Sequence, residues 1–133
     1  MSEITIHSGE TFERVFLNEP SIDLHFVQEA GSVLKIHVLN LPFDKSINRD
    51  IEISKQSCPS EAKNKIVVEQ QGLGCHTEIY ALAFLHGDES VTAETHVTHA
   101  VGGGTSNQLV KFVLADNSRG HFVGDLKIAQ DAQ

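Results

Sequence analysis

Apolar and polar residues alternate along most of the chain. Ile22, Leu24 and Phe26 share one parity and Leu34, Ile36 and Val38 another, with Asp23, His25, Lys35 and His37 interleaved. A period of two is the strand period, because successive side chains of an extended backbone point to opposite faces. Further apolar or β-branched runs cover Ile51 to Ile53, Ile66 to Val68, Ile79 to Leu85, Val91 to Val97, Leu109 to Leu114 and Phe122 to Ile128. The pattern predicts about eight or nine strands. Turn signals separate them, at Ala30-Gly31-Ser32, Asn40 to Asn48, Gly72-Leu73-Gly74, His86-Gly87-Asp88, Gly102-Gly103-Gly104 and Asp116-Asn117-Ser118. None has the length of a domain linker. Helical spacing occurs at Thr11 to Glu19, where Phe12, Val15 and Phe16 stand at i, i+3 and i+4, and Pro59 to Lys65 could make one turn after Ser57. Both stretches are read as caps or corners rather than main elements.

From Lys65 onward the strands start at rather even spacing, near Ile66, Ile79, Val91, Gln108 and Phe122. Such spacing suits a sandwich, a barrel or a coiled solenoid. Two features lean toward the solenoid. The runs Ile79 to Leu85 and Leu109 to Leu114 are apolar on both parities, and the turns mostly lack the Asn-Gly and Asp-Gly dipeptides that tight hairpins favour.

A length of 133 residues with 40% hydrophobic residues fits one domain spanning 1–133. Asp and Glu total 18 against 10 Lys and Arg, a formal charge of -8, and no stretch gathers the basic residues. Nucleic acid is therefore not an expected partner. No uncharged run suits a transmembrane helix, and Met1 to Glu10 lacks the basic-then-apolar order of a signal peptide. Cys58 and Cys75 stand in a chain that can build a core without staples, so a reduced, cytoplasmic protein is expected.

Eight histidines make metal binding the first chemistry to weigh. His96 and His99 form His-x-x-His, but in a strand that odd spacing sends them to opposite faces. His99 then joins Val91, Ala93, Thr95 and Val97 on the interior parity, and His96 joins Glu94 and Thr98 on the outer one. Glu94, His96 and His121 share outward parity and could converge on an iron or zinc ion, as in a small cupin-like β-barrel enzyme. That reading lacks the His-x-His pair followed by Glu that such barrels usually show. Cys75-His76 has no second Cys or His pair at zinc-finger spacing, Gly102-Gly103-Gly104-Thr105-Ser106 lacks the phosphate-loop lysine, and no nucleophile elbow is present. Nothing here makes an enzyme, and no cofactor is expected.

An ordered set of residues near the carboxy terminus points elsewhere. It runs from the strand around Ala93 to Val97 through His99, Gly104 and Ser106 to Asn107-Gln108-Leu109-Val110-Lys111. It continues through Arg119-Gly120-His121-Phe122-Val123-Gly124, with an aromatic two before a glycine, to Ala129-Gln130-Asp131-Ala132. Over Glu78 to Gln133 the chain resembles the core of the SufB/SufD family of iron-sulfur cluster assembly scaffolds, and more the SufD side, with His99, Ser106, Gln108, Lys111, Phe122 and Gly124 as its motif. Residues 1–64 are similar only in type, strand following strand.

The resemblance implies a right-handed parallel β-helix of stacked coils with little helix. It further implies a non-catalytic scaffold or assembly module working in iron-sulfur cluster biogenesis through protein contacts; an iron-sulfur cluster or a single metal is conceivable as a bound group, but nothing in the sequence supports one. On that model Ser106 and Lys111 lie near a turn, Phe122 stacks inside and Gly124 permits a close corner. Many SufD-like sequences carry cysteine where this chain has Gly104, so no thiolate carries over. The resemblance also implies later coils with the interfacial cysteine and histidine, and a helical segment that docks the ATPase SufC; with the chain stopping at Gln133, both are expected to be missing. Either a fragment of a longer scaffold or a shortened relative is expected. An open coil end needs a cover. Self-association through Phe122, Leu126 and Ile128, as a homodimer or with another Suf scaffold subunit, is the expected answer.

Overall fold

The computed structural model describes residues 2–41 and 60–129. The described residues form nine strands: β1 (Ser2–Ile6), β2 (Thr11–Leu17), β3 (Ser21–Gln28), β4 (Val33–Asn40), β5 (Glu61–Gln70), β6 (His76–Leu85), β7 (Ser90–His99), β8 (Thr105–Leu114) and β9 (Arg119–Ile128). Consecutive strands go to different sheets, one ordered β1-β3-β5-β7-β9 and the other β2-β4-β6-β8. Every pairing among them is parallel. The fold is therefore all-β with two parallel sheets, which is not the antiparallel pairing of a hairpin-built barrel. Among the described residues no helix is long and apolar enough to cross a membrane. The apolar run Ile51 to Ile53 lies outside the described residues.

The register explains the even spacing. Glu61 pairs with Ser90, His76 with Thr105 and Ser90 with Arg119, an advance of 29 residues each time. Earlier in the chain Ser2 pairs with Leu24 and Thr11 with Val33, an advance of 22. Residues of equal parity therefore stack from strand to strand. One inward parity carries Phe26, Ile66, Val68 and Val97, the other Leu34, Ile36, Val38 and Ile79, and together they make one buried core. The turns leading from the first sheet to the second each hold a glycine at positive φ: Gly9, Gly31, Gly74 and Gly103. A side chain at such a φ is strained, so these turns are written in glycine.

Four expectations are corrected. Pro59 to Lys65 is no helical turn: the strand β5 starts at Glu61 and buries Ala62 and Asn64 in alternation. Thr11 to Glu19 is no helical cap: β2 occupies Thr11–Leu17, and Phe12, Arg14 and Phe16 pair with the buried Leu34, Ile36 and Val38. Gly124 is not at a corner but in the middle of β9, opposite Thr95. Lys111 is mid-strand in β8 opposite Leu82, away from any turn, whereas Ser106 is the second residue of its strand.

Candidate functional site

β7 carries the motif residue His99 on its inward face and the metal candidates Glu94 and His96 on its outer face, because its pattern alternates strictly over ten residues. Inward, His99 is buried and its Nε2 lies 3.2 Å from Ser106 Oγ of β8. Thr95 Oγ1 likewise donates to Gln108 Oε1. Three residues of the predicted motif, His99, Ser106 and Gln108, thus meet within the interior as polar bridges from one sheet to the other.

These bridges extend a buried polar column. Gln28, Gln70 and His99 occupy the same level on successive strands β3, β5 and β7. Gln28 Nε2 donates to the backbone carbonyl of His76 at 3.1 Å, Thr77 Oγ1 donates to Gln28 Oε1, and Gln70 Nε2 donates to Thr77 Oγ1 at 2.8 Å and to the Thr105 carbonyl at 3.0 Å. Polar groups this deep are as a rule bonded, and the exception in the column is Gln70 Oε1, which has no partner among the described residues. Cys75, a buried free thiol, closes the column, its one S–H proton shared between the carbonyls of Glu29 and Gly72, each 3.2 Å from Sγ. A thiol so placed is packing rather than nucleophile.

Gly104 faces this column. A Cβ on Gly104 would overlap Gln70 Oε1 and lie 3.4 Å from His99 Nδ1. The volume that a cysteine would need at this position is filled by a glutamine held through two hydrogen bonds. Gly104→Ala is expected to destabilise the protein by about 1–3 kcal/mol, and Gln70→Ala in the same chain is expected to remove most of the added cost; urea denaturation of the single and double variants measures both.

On the outer face, Glu94 and His96 do come together, with Glu94 Oε1 at 2.7 Å from His96 Nε2. The third member is Asp125 of β9, 3.0 Å from His96 Nδ1, and not His121. His121 pairs with Thr92, two levels along the ladder from the His96–Asp125 pair, or roughly 13 Å at strand rise. The two carboxylates lie on opposite edges of the imidazole, which is the geometry of a bridging imidazolium rather than of a chelate. Among the described residues no group of three His, Cys, Asp or Glu side chains is placed to hold a metal ion. Sequence reasoning missed Asp125, although its distance from His96 is the 29-residue advance of this sheet.

The protonation of the two histidines follows from these surroundings. The hydrogen bond to Glu94 raises the His96 pKa above its usual 6.5, against the effect of burial and with help from Asp125, while burial alone lowers that of His99. For His96 the folded value lies above the unfolded one, so its contribution is full below about pH 6.5 and is lost as the pH rises through the folded value. For His99 the sign reverses: the unfolded chain takes up a proton near pH 6.5 that the folded chain refuses, so acidification costs stability. His96→Gln is therefore expected to lose stability between pH 7.5 and 5 more steeply than wild type, and His99→Gln less steeply. Unfolding free energies across that range test it, and parallel profiles for all three proteins would contradict the assignment.

The remaining motif residues lie toward the last strand. Phe122, Leu126 and Ile128 pair with Ala93, Val97 and His99, and so carry the inward parity of β9. They are nonetheless 39%, 47% and 41% exposed, since among the described residues β9 has a neighbour on one side only. The ring of Phe122 folds over Gly124, where a Cβ would come 2.5 Å from its tip. Stacked parallel strands, interior bridges at His99, Ser106 and Gln108, and an aromatic two before a glycine are thus combined in one half of the chain. That half, residues 60–133, matches the family model described as SUF system FeS cluster assembly, SufBD core domain. The chain belongs to this family. No curated protein and no solved structure matches it. In this SufBD core chain the matched part begins at the strand β5 and includes every motif residue named above.

Proposed function

We propose that this chain is a non-catalytic scaffold of SufD type that serves iron-sulfur cluster assembly through protein contacts, with the cluster as cargo. Its two sheets are wound as a right-handed parallel β-helix forming a single domain over 1–133. The hand follows from the strong preference of parallel crossovers for right-handed connections. Membership of the SufBD core family and the strict alternation of strands between two parallel sheets support the reading. The unpaired thiol of Cys75 suits the reducing cytoplasm.

One observation carries the mode of action: the inward parity of β9 presents Phe122, Leu126 and Ile128 beside a backbone edge that no described strand pairs. A strand edge backed by apolar side chains is a template for another chain. The occupant is a second copy of this chain, or a related Suf scaffold subunit in its place. Leu126→Asp places a charge at the centre of that contact and is expected to convert a dimer into a monomer in sedimentation at micromolar concentration. A wild-type protein already monomeric there would overturn this mode of action.

A further inference from the structure

Two asparagines face each other across the core where the chain departs for and returns from residues 42–59. Asn40 ends β4 in one sheet, Asn64 lies in β5 of the other, and both are buried on the inward parity. Asn40 Nδ2 and Asn64 Oδ1 have no hydrogen-bond partner among the described residues. Between them lies a cavity of about 10 Å3, lined also by Val38, Ala83, Ala93 and Phe112. The space is left by alanines on the following strands: Asn40 pairs with Ala83 of β6 and Asn64 with Ala93 of β7. Neither methyl reaches across the gap.

A space of this size admits the centre of one water molecule and nothing larger. The two unpartnered atoms are one donor and one acceptor, so their common ligand must both accept and donate, which a metal cation or an apolar group cannot do. We propose that a single ordered water occupies this cavity, accepting a hydrogen bond from Asn40 Nδ2 and donating one to Asn64 Oδ1. The water ties one sheet to the other between the end of β4 and the start of β5. It also pins the register there, because a slip of one residue would turn Asn64 outward.

A crystal structure of the full chain at high resolution tests the site directly. Density for one water within hydrogen-bond distance of both amides is expected, whereas a direct bond between the two asparagines, or a cavity without density, overturns the proposal. A double-mutant cycle in solution supplies an independent reading. Asn40→Leu and Asn64→Leu each strand one polar group and the water, and each is expected to lower the folding equilibrium constant about tenfold. The double variant removes both polar groups and is expected to lie closer to wild type than either single variant. Independent, multiplying losses would show that the two residues share no ligand.

Discussion

Phe26→Ala is expected to destabilise the protein by about 3–5 kcal/mol, enough to unfold a marginal domain. Phe26 is completely buried, and its ring tilts against that of Phe12 with centroids 5.5 Å apart. It stands in β3 between Ile4 of β1 and Val68 of β5 on the same inward ladder. Truncation therefore opens a void bounded by strands whose register fixes them, and such a site collapses poorly. Equilibrium urea denaturation gives the value, and a loss below about 1 kcal/mol would mean that the two sheets do not close over this residue. Residues 2–41, similar to the family only in type, would then not be an integral part of the core.

The second large effect is expected at Gly72. A Cβ there would overlap the backbone nitrogen of Ala30, with Ala30 Cα at 2.5 Å and Glu29 C at 2.7 Å. These are main-chain atoms of the turn stacked beside it, and no side-chain rotation relieves the clash. The same contact sets the hydrogen bond from Gly31 N to the Leu73 carbonyl at 2.8 Å and the Cys75 S–H proton shared between the Glu29 and Gly72 carbonyls. Gly72→Ala should therefore cost about 3 kcal/mol or more by prising the stacked turns apart. Gly74 two residues on has positive φ but open space around its Cβ position, and Gly74→Ala should cost only about 1–2 kcal/mol. Thermal unfolding of both variants separates the two cases. Equal losses would mean that the close approach of the turns is not what Gly72 is for.

Much of this architecture is legible in the alternation of the chain. The parity of Ile22 to Phe26, of Leu34 to Val38 and of Val91 to His99 is the parity that the strands bury, including His99 inside and His96 outside. β2 escaped that reading because Phe12, Val15 and Phe16 happen to fall at helical spacing, while its inward parity is interrupted by Arg14. Arg14 is exposed on this outermost described strand, so its charge stays in water while the guanidinium lies over the ring of Phe16 at 4.7 Å. β5 begins Glu-Ala-Lys-Asn-Lys, a polar opening whose Ala62 and Asn64 are nonetheless the buried members. Register is the other hidden quantity. Asp125, rather than His121, lies against His96 because strands 29 residues apart stack in parallel, and alternation within one strand carries no information about its neighbour. The polar column of Gln28, Gln70 and Thr77 was missed for a related reason: polar residues on an inward parity break the apolar pattern, and only the neighbouring coil shows what they bond.

The account turns on one claim, that this SufBD core chain works through protein contacts at the inward face of β9 and not through a metal held on the outer face of β7. Anaerobic purification followed by elemental analysis and light-scattering mass on the same sample tests it most directly. A dimeric mass, abolished by Leu126→Asp, with no stoichiometric metal is the predicted result. A monomeric protein carrying about one iron or zinc per chain, with the metal lost on His96→Ala, would contradict it.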